Sequence, residues 1–209
     1  MSGEPPSAKP WIPARLTLPA LTKAAKGCEG CELYARATQT VFGEGSAAAR
    51  VMLVGEQPGD KEDLDGHPFV GPAGRVLFQA LEDAGVDRQS VYVTNAVKHF
   101  RFEERGKRRI HKKPAAVHIT ACLPWLEAEI QVLRPDFVVC LGATAAQSLA
   151  GSTVRVLRDR GKLLPNPWAT ALIVTVHPSS LLRMPDRSQY QEQYDLFVRD
   201  LKLINQRAA

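Results

Sequence analysis

Four short apolar runs punctuate the chain, and the stretches between them carry helical spacing. Residues 50–54 lead through Val-Met-Leu-Val into Gly55 with no polar alternation, and residues 90–97, 137–141 and 171–176 are of the same kind. Unalternating runs of this length suit strands buried on both faces, as in a parallel sheet. Helical patterns are predicted over residues 72–84, opening on Pro72 and stopping before Gly85, and over 114–133, 143–149 and 189–205. Strands alternating with helices predict an α/β fold of three layers, α/β/α, around a central, mainly four-stranded parallel sheet. With 209 residues the chain can bury one sizeable core, so residues 16–209 are expected to form a single domain. The proline-rich residues 1–15 are expected to be a flexible lead-in.

A parallel sheet binds its ligands beyond the carboxyl ends of its strands, which makes the exit loops the place to look for chemistry. The first strand runs into Gly55-Glu56-Gln57-Pro58-Gly59-Asp60, the second into Thr94-Asn95 and then Lys98-His99, the fourth into His177-Pro178-Ser179-Ser180. The first loop lacks the Lys-Ser/Thr of a phosphate-binding loop. It offers carboxylates in a tight turn, or else a plain strand-to-helix turn with solvated acids. Phe69, ahead of Gly71 and Gly74, is either core or a stacking surface for a planar base. Asn95 ends an apolar strand. A buried carboxamide needs partners on both its oxygen and its nitrogen, and a pyrimidine edge supplies them; a local turn is the duller reading.

Charge sharpens this picture. The net charge is +5, and the excess gathers around residues 101–113, where Gly106-Lys107-Arg108-Arg109-Ile110-His111-Lys112-Lys113 sets one histidine among cations. Such a run is commonly a solvated loop, but a local basic stripe also suits a polyanion. The apolar fraction of 44% and charged fraction of 23% are ordinary for a globular chain. No stretch is long and apolar enough to span a bilayer. A cytoplasmic monomer is expected, where disulfides are rare, so the four cysteines need another explanation. Cys28-Glu29-Gly30-Cys31 has the spacing of a metal or cluster knuckle. Cys122 in the long helix and His99 are the best further ligands, while Cys140, in mid-strand, reads as a small buried hydrophobe.

Taken in order, these segments resemble the iron–sulfur uracil-DNA glycosylases of family 4, and within them the UdgX branch. The carriers are Gly55-Glu56-Gln57-Pro58-Gly59-Asp60-Lys61-Glu62-Asp63, Pro68-Phe69-Val70-Gly71-Pro72-Ala73-Gly74-Arg75, Val93-Thr94-Asn95-Ala96-Val97-Lys98-His99-Phe100, Lys107-Arg108-Arg109-Ile110-His111 and His177-Pro178-Ser179-Ser180-Leu181-Leu182. The Lys-Arg-Arg-Ile-His element marks the branch. The resemblance implies a uracil-DNA glycosylase-like domain acting on uracil-containing DNA. It implies that Phe69 stacks on an extruded uracil within a pocket walled by Gly55, and that Asn95 reads the base edge. Glu56 and His177 would flank the glycosidic bond, and Gln57 would replace a small residue. His111 would become joined to deoxyribose C1′, with Arg109 placing either the loop or the histidine. Lys107, Arg108, Lys112 and Lys113, with the hydroxyls of Ser179 and Ser180, are the expected DNA contacts. Cys28, Cys31, His99 and Cys122 match the ligands of a [4Fe-4S] cluster, His99 standing where most members have cysteine; zinc is the rival metal. The expected outcome is excision of uracil followed by a permanent protein–DNA link, with a turnover glycosylase and a noncatalytic binding module as alternatives. The positive charges around His111 are expected to keep its ring neutral.

Overall fold

The computed structural model describes residues 5–206. The first four and last three residues, which belong to the expected lead-in and to the end of the expected domain, lie outside the described residues. In chain order the protein forms α1 (Leu18–Ala25), β1 (Val51–Gly55), α2 (Asp60–Asp65), α3 (Pro72–Asp83), β2 (Val91–Asn95), β3 (Phe102–Arg105), β4 (Arg108–His111), α4 (Ala116–Leu133), β5 (Phe137–Leu141), α5 (Ala143–Ala150), α6 (Val156–Asp159), β6 (Leu163–Leu164), β7 (Ala171–Thr175), α7 (Pro178–Leu181) and α8 (Arg187–Leu201).

The four apolar runs become the four parallel strands of a sheet ordered β2-β1-β5-β7-β6. Every residue of those four strands is buried. Successive side chains point to opposite faces, so Leu53, Val139 and Ile173 join Leu77 and Phe197 of α3 and α8 in one core. Met52, Val138 and Leu172 join Leu126 and Ala145 of α4 and α5 in the other. Three layers follow directly. Cys140 lies in the second core, fully buried.

The structure departs from expectation at four places. A fifth strand, β6, pairs antiparallel with β7 through only two residues, too few to show a period. The apolar run at 90–97 leaves the sheet at Asn95. Ala96 and Val97 instead donate back to the carbonyls of Gly55 (2.9 Å) and Glu56 (3.0 Å), and their side chains enter cores beside the sheet. The basic run is a hairpin, β3 against β4, turning at Gly106 with φ of 60°. The proline-rich lead-in is docked from residue 8. Ala8 is buried, its N–H donates to the Ala121 carbonyl (2.7 Å), and Trp11 and Ile12 pack with it against α4.

In a parallel arrangement the carboxyl ends of β1, β2, β5 and β7 share one edge. The register sets Gly55 directly beside Asn95.

Candidate active site

A cavity of about 600 Å³ opens at that edge, within the range of small-ligand sites, roughly 300–1,000 Å³. It gathers Glu56 and Gln57 from the loop after β1, Phe69 from the turn before α3, Asn95 from the end of β2, His111 from β4 and His177 from the loop after β7. Two glycines make the room. A Cβ on Gly55 would overlap the Asn95 carboxamide oxygen and come within 2.8 Å of the Phe69 ring. At Gly74 a Cβ would run into the backbone carbonyl of Phe69. Phe69 itself holds a left-handed backbone, φ 58°, which costs a side-chain-bearing residue roughly 1–2 kcal/mol. That turn brings its ring over the cavity, stacked on His177 with centroids 6.3 Å apart and planes 26° from parallel.

His177 caps the first turn of α7. Its Nδ1 accepts from the Ser179 N–H (3.2 Å) and lies 2.8 Å from the Ser179 hydroxyl. Burial, reinforced by repulsion from His111 and Arg183, lowers its pKa from 6.5 to about 4. A neutral ring that accepts at Nδ1 carries its proton on Nε2, so it is a hydrogen-bond donor there. Glu56 is fixed by the Thr144 hydroxyl, which donates to its Oε2. Its Oε1 lies 3.5 Å from His111 Nε2, close enough for attraction but too long for a good hydrogen bond. His111 is lowered below the usual histidine pKa, first by burial, against the pull of Glu56 and with help from Arg183. The flanking lysines and arginines, expected to do this, are not among the causes: Lys107, Arg108 and Lys113 are exposed, and Arg109 and Lys112 are paired with carboxylates.

The hairpin is clasped to the rest of the site by two side chains. Gln57 Nε2 donates to the carbonyls of Arg101 (3.1 Å) and Lys112 (3.0 Å), and its Oε1 accepts from the Arg101 N–H (3.2 Å). It thus ties the two ends of the hairpin together. Arg109 Nε reaches Asp60 (2.6 Å), while Nη1 reaches Asp63 (2.6 Å) and Thr38 (3.1 Å). Its guanidinium also lies over the rings of Phe100 and Phe102. Arg109 and His111 share one face of β4 by strand alternation, so anchoring the first to α2 brings the second over the cavity. Arg109, expected to place either the loop or the histidine, contacts the α2 carboxylates and does not line the cavity.

Of the expected DNA contacts, Lys107, Arg108 and Lys113 are exposed on or beside the hairpin. Lys112 is paired with Glu103. The hydroxyls of Ser179 and Ser180 are engaged within the α7 turn, the latter donating to the His177 carbonyl (2.7 Å). Sequence reasoning passed over three features of the site. Thr144 sits in the exit loop of β5, where the strand-end rule already pointed. Asp60 and Asp63 were seen as loop acids but not as a clasp. Arg183 lines the cavity one turn beyond the serines, a spacing that a helical reading of the 177–183 segment would have exposed.

Cys28, Cys31 and Cys122 lie buried in one cluster with Trp125 and Phe42, beneath α1 and α4. Trp125 Nε1 donates to Cys28 Sγ (3.3 Å), and the Lys98 N–H donates to Cys122 Sγ (3.2 Å). Burial raises the thiol pKa of Cys31, and that of Cys122 to about 12. Thiolates here would need a cation beside them. The three cysteines suit a metal group in burial and donor chemistry. His99 suits it less well: its Nε2 meets the Thr40 hydroxyl at 2.9 Å. Among the described residues no three His, Cys, Asp or Glu side chains stand in a metal-holding arrangement.

The fold and this strand-end cavity define an α/β domain of a known kind. Residues 42–202 match the uracil DNA glycosylase superfamily, and the chain belongs to it. It is 36% identical over 164 residues to the type-4 uracil-DNA glycosylase of Thermotoga maritima, covering 78% of this chain and 82% of that one. It is 35% identical over 190 residues to the type-4 uracil-DNA glycosylase of Pyrobaculum aerophilum, covering 87% and 93%. The protein of that type from Archaeoglobus fulgidus is 31% identical over 182 residues, covering 84% and 86%. Among the described residues no helix is long and apolar enough to cross a membrane.

Proposed function

We propose that this protein excises uracil from DNA and that His111 then captures the exposed sugar carbon. The observation that carries the reading is the meeting of His111 with Glu56 (3.5 Å) in the same cavity as Asn95 and Phe69. A base extruded from DNA costs a few kcal/mol to unstack, less from single strands. Cations at Lys107, Arg108 and Lys113 offset this through phosphate contacts. The uracil ring stacks on Phe69, and the Asn95 carboxamide pairs with its carbonyl and ring N–H. The His177 Nε2–H donates to a uracil carbonyl as negative charge develops there. The C1′–N1 bond breaks and its electron pair leaves with uracil. Glu56 stabilises the electron-poor C1′.

His111, half exposed and with a lowered pKa that favours the neutral ring, then gives a ring lone pair to C1′, forming a C–N bond. The ring proton that this step makes acidic passes to the departing uracil anion, so charge and atoms balance. Alkylated imidazole is a poor leaving group, and the adduct stands. The resemblance noted above and the three buried thiols support a [4Fe-4S] cluster held by Cys28, Cys31 and Cys122, with His99 completing the set. Brown protein containing iron and sulfide is expected; a colourless protein holding zinc would reverse that assignment.

The test is a denaturing gel. Incubation with a uracil-bearing oligonucleotide should give a slower band that survives denaturation, and His111→Ser should lose it. The gap between Glu56 and His111 also favours a second reading, in which a water is activated there and the enzyme turns over. Many uracils released per protein, with no slow band, selects that reading. Intact glycosidic bonds after saturation binding reject both.

A further inference from the structure

Between the end of β2 and α4 lies a buried ion pair that the chemistry above does not use. Lys98 Nζ and Glu129 Oε2 are 2.5 Å apart with side chains 1% and 0% exposed. Replacing such a pair by apolar residues is commonly neutral or stabilising, because two ions must be stripped of water to form it. Stability alone is thus a poor account of its presence.

Its hydrogen bonds give a better one. The ammonium has three protons and spends all three: on Glu129, on the Thr94 hydroxyl (2.7 Å) and on the backbone carbonyl of Asn95 (2.8 Å). Asn95 is the last residue of β2. The chain leaves the sheet after it, and Ala96 and Val97 turn back to Gly55 and Glu56. Glu129 in turn accepts from Tyr92 (2.9 Å) and Thr94 (2.9 Å) on the same strand. Phe42 covers the ammonium from 5.2 Å, and Gly43 leaves no space for a Cβ beside Glu129. Ordinary strand pairing would fix the residues before Asn95. Pairing with Gly55 sets the height of Asn95 at the sheet edge, and the bridge from α4 adds a charged anchor on its carbonyl, where the ladder gives out.

We infer that the Lys98–Glu129 pair is a positioning device that sets the Asn95 carboxamide for base reading. Lys98 and Glu129 touch no substrate; they act through Asn95. The inference rests on the reading of the cavity as a uracil site, and the experiment separates the two.

The decisive variant is Lys98→Met/Glu129→Gln. It removes both charges and keeps an acceptor for Tyr92 and Thr94, leaving the Asn95 carbonyl as the specific loss. Tyr92→Phe is the control: it takes one hydrogen bond from Glu129 and leaves the Asn95 carbonyl held. Both variants should bind uracil-free oligonucleotide as the wild type does. Single-turnover uracil release should stay near the wild-type rate in Tyr92→Phe. It should fall by about 10²-fold in the double variant, the loss that a misplacement of about 1 Å produces. A folded double variant that releases uracil within about twofold of wild type overturns the inference, as does an equal loss in both variants. If the double variant does not fold, Lys98→Met alone, which also removes the donor to the Asn95 carbonyl, takes its place with the same readouts and the same criteria. Wild-type protein that releases no uracil sinks the functional reading instead. The positioning claim is then decided by a crystal structure of the variant: a displaced Asn95 side chain supports it, and a superimposable one overturns it.

Discussion

Replacing Arg109 with alanine tests how His111, the proposed nucleophile, is held. Asp63 is fully buried, and both its oxygens lie 3.1 Å from the Thr38 N–H; its remaining partner is the Arg109 guanidinium at 2.6 Å. Stripping one partner from a buried pair costs about 3–5 kcal/mol, because the other charge is left stranded. The contact with Asp60 is half exposed and contributes less than about 1 kcal/mol. Thr38 keeps its bond, and water can follow where the arginine leaves, so a loss of about 2–4 kcal/mol is expected. For a chain of this size, about 3 kcal/mol lowers Tm by roughly 6–12 °C. The hairpin would then be held by Gln57 and by the exposed Arg36–Glu104 pair at 3.4 Å, and capture at His111 should slow by about 10²-fold. Adding Asp63→Asn removes the stranded charge. That double variant should regain most of the lost Tm yet still capture slowly. Thermal melts and single-turnover gels on a uracil-bearing oligonucleotide measure the two effects separately. Capture at the wild-type rate by folded Arg109→Ala would refute the clasp.

Two further outcomes follow from the same geometry. Gly55→Ala puts a methyl group where the Asn95 oxygen and the Phe69 ring now sit; uracil release should fall by at least about tenfold, roughly 1.4 kcal/mol of barrier, while binding of uracil-free DNA holds, and unchanged release would remove Gly55 from the pocket wall. The pH dependence has a definite sign. His177 titrates near 4 folded against 6.5 unfolded, so the unfolded chain takes up the proton first as pH falls. Stability is complete above about 6.5 and drains away toward pH 4, by on the order of 2 kcal/mol after allowing for the ring's partial exposure. His177→Gln should remove its share of that dependence and His111→Ser a smaller share, through the lost repulsion, while buried His99, likewise lowered to about 4, keeps the remainder. Capture, which needs His111 neutral, should fall with acid to a midpoint below pH 6.5; a midpoint above 6.5 contradicts a nucleophile with a lowered pKa.

The parts of the molecule legible in the sequence are those decided by neighbours in the chain. Val51 to Val54 are apolar without a break because both faces of β1 are covered, and that requirement shows as composition. The strand-end rule then located Glu56, Asn95 and His177 together, and the structure gathers them in one cavity. What stayed hidden depends on distant partners. The hairpin strand Phe-Glu-Glu-Arg has no apolar alternation of its own; Gln57, Asp60 and Asp63 hold it from another part of the chain. The lowered pKa of His111 was traced to the cations beside it in sequence, but it comes from enclosure and from Arg183. The run at 90–97 overshot the strand because Ala96 and Val97 are buried after the chain has left the sheet. Lys98 stood in the exit loop of the second strand with no role of its own, and nothing local revealed Glu129 waiting on α4.

The β3–β4 ribbon forms its own two-stranded sheet, and among the described residues its ladder joins no strand of the central five. On the function proposed above, His111, the side chain that would decide whether the sugar is kept or released, is therefore mounted on an appendage. That reading gives base selection to the sheet-edge frame, and the fate of the DNA to an attachment fastened by a few side chains. It makes the two outcomes exchangeable by editing the ribbon, without rebuilding the scaffold.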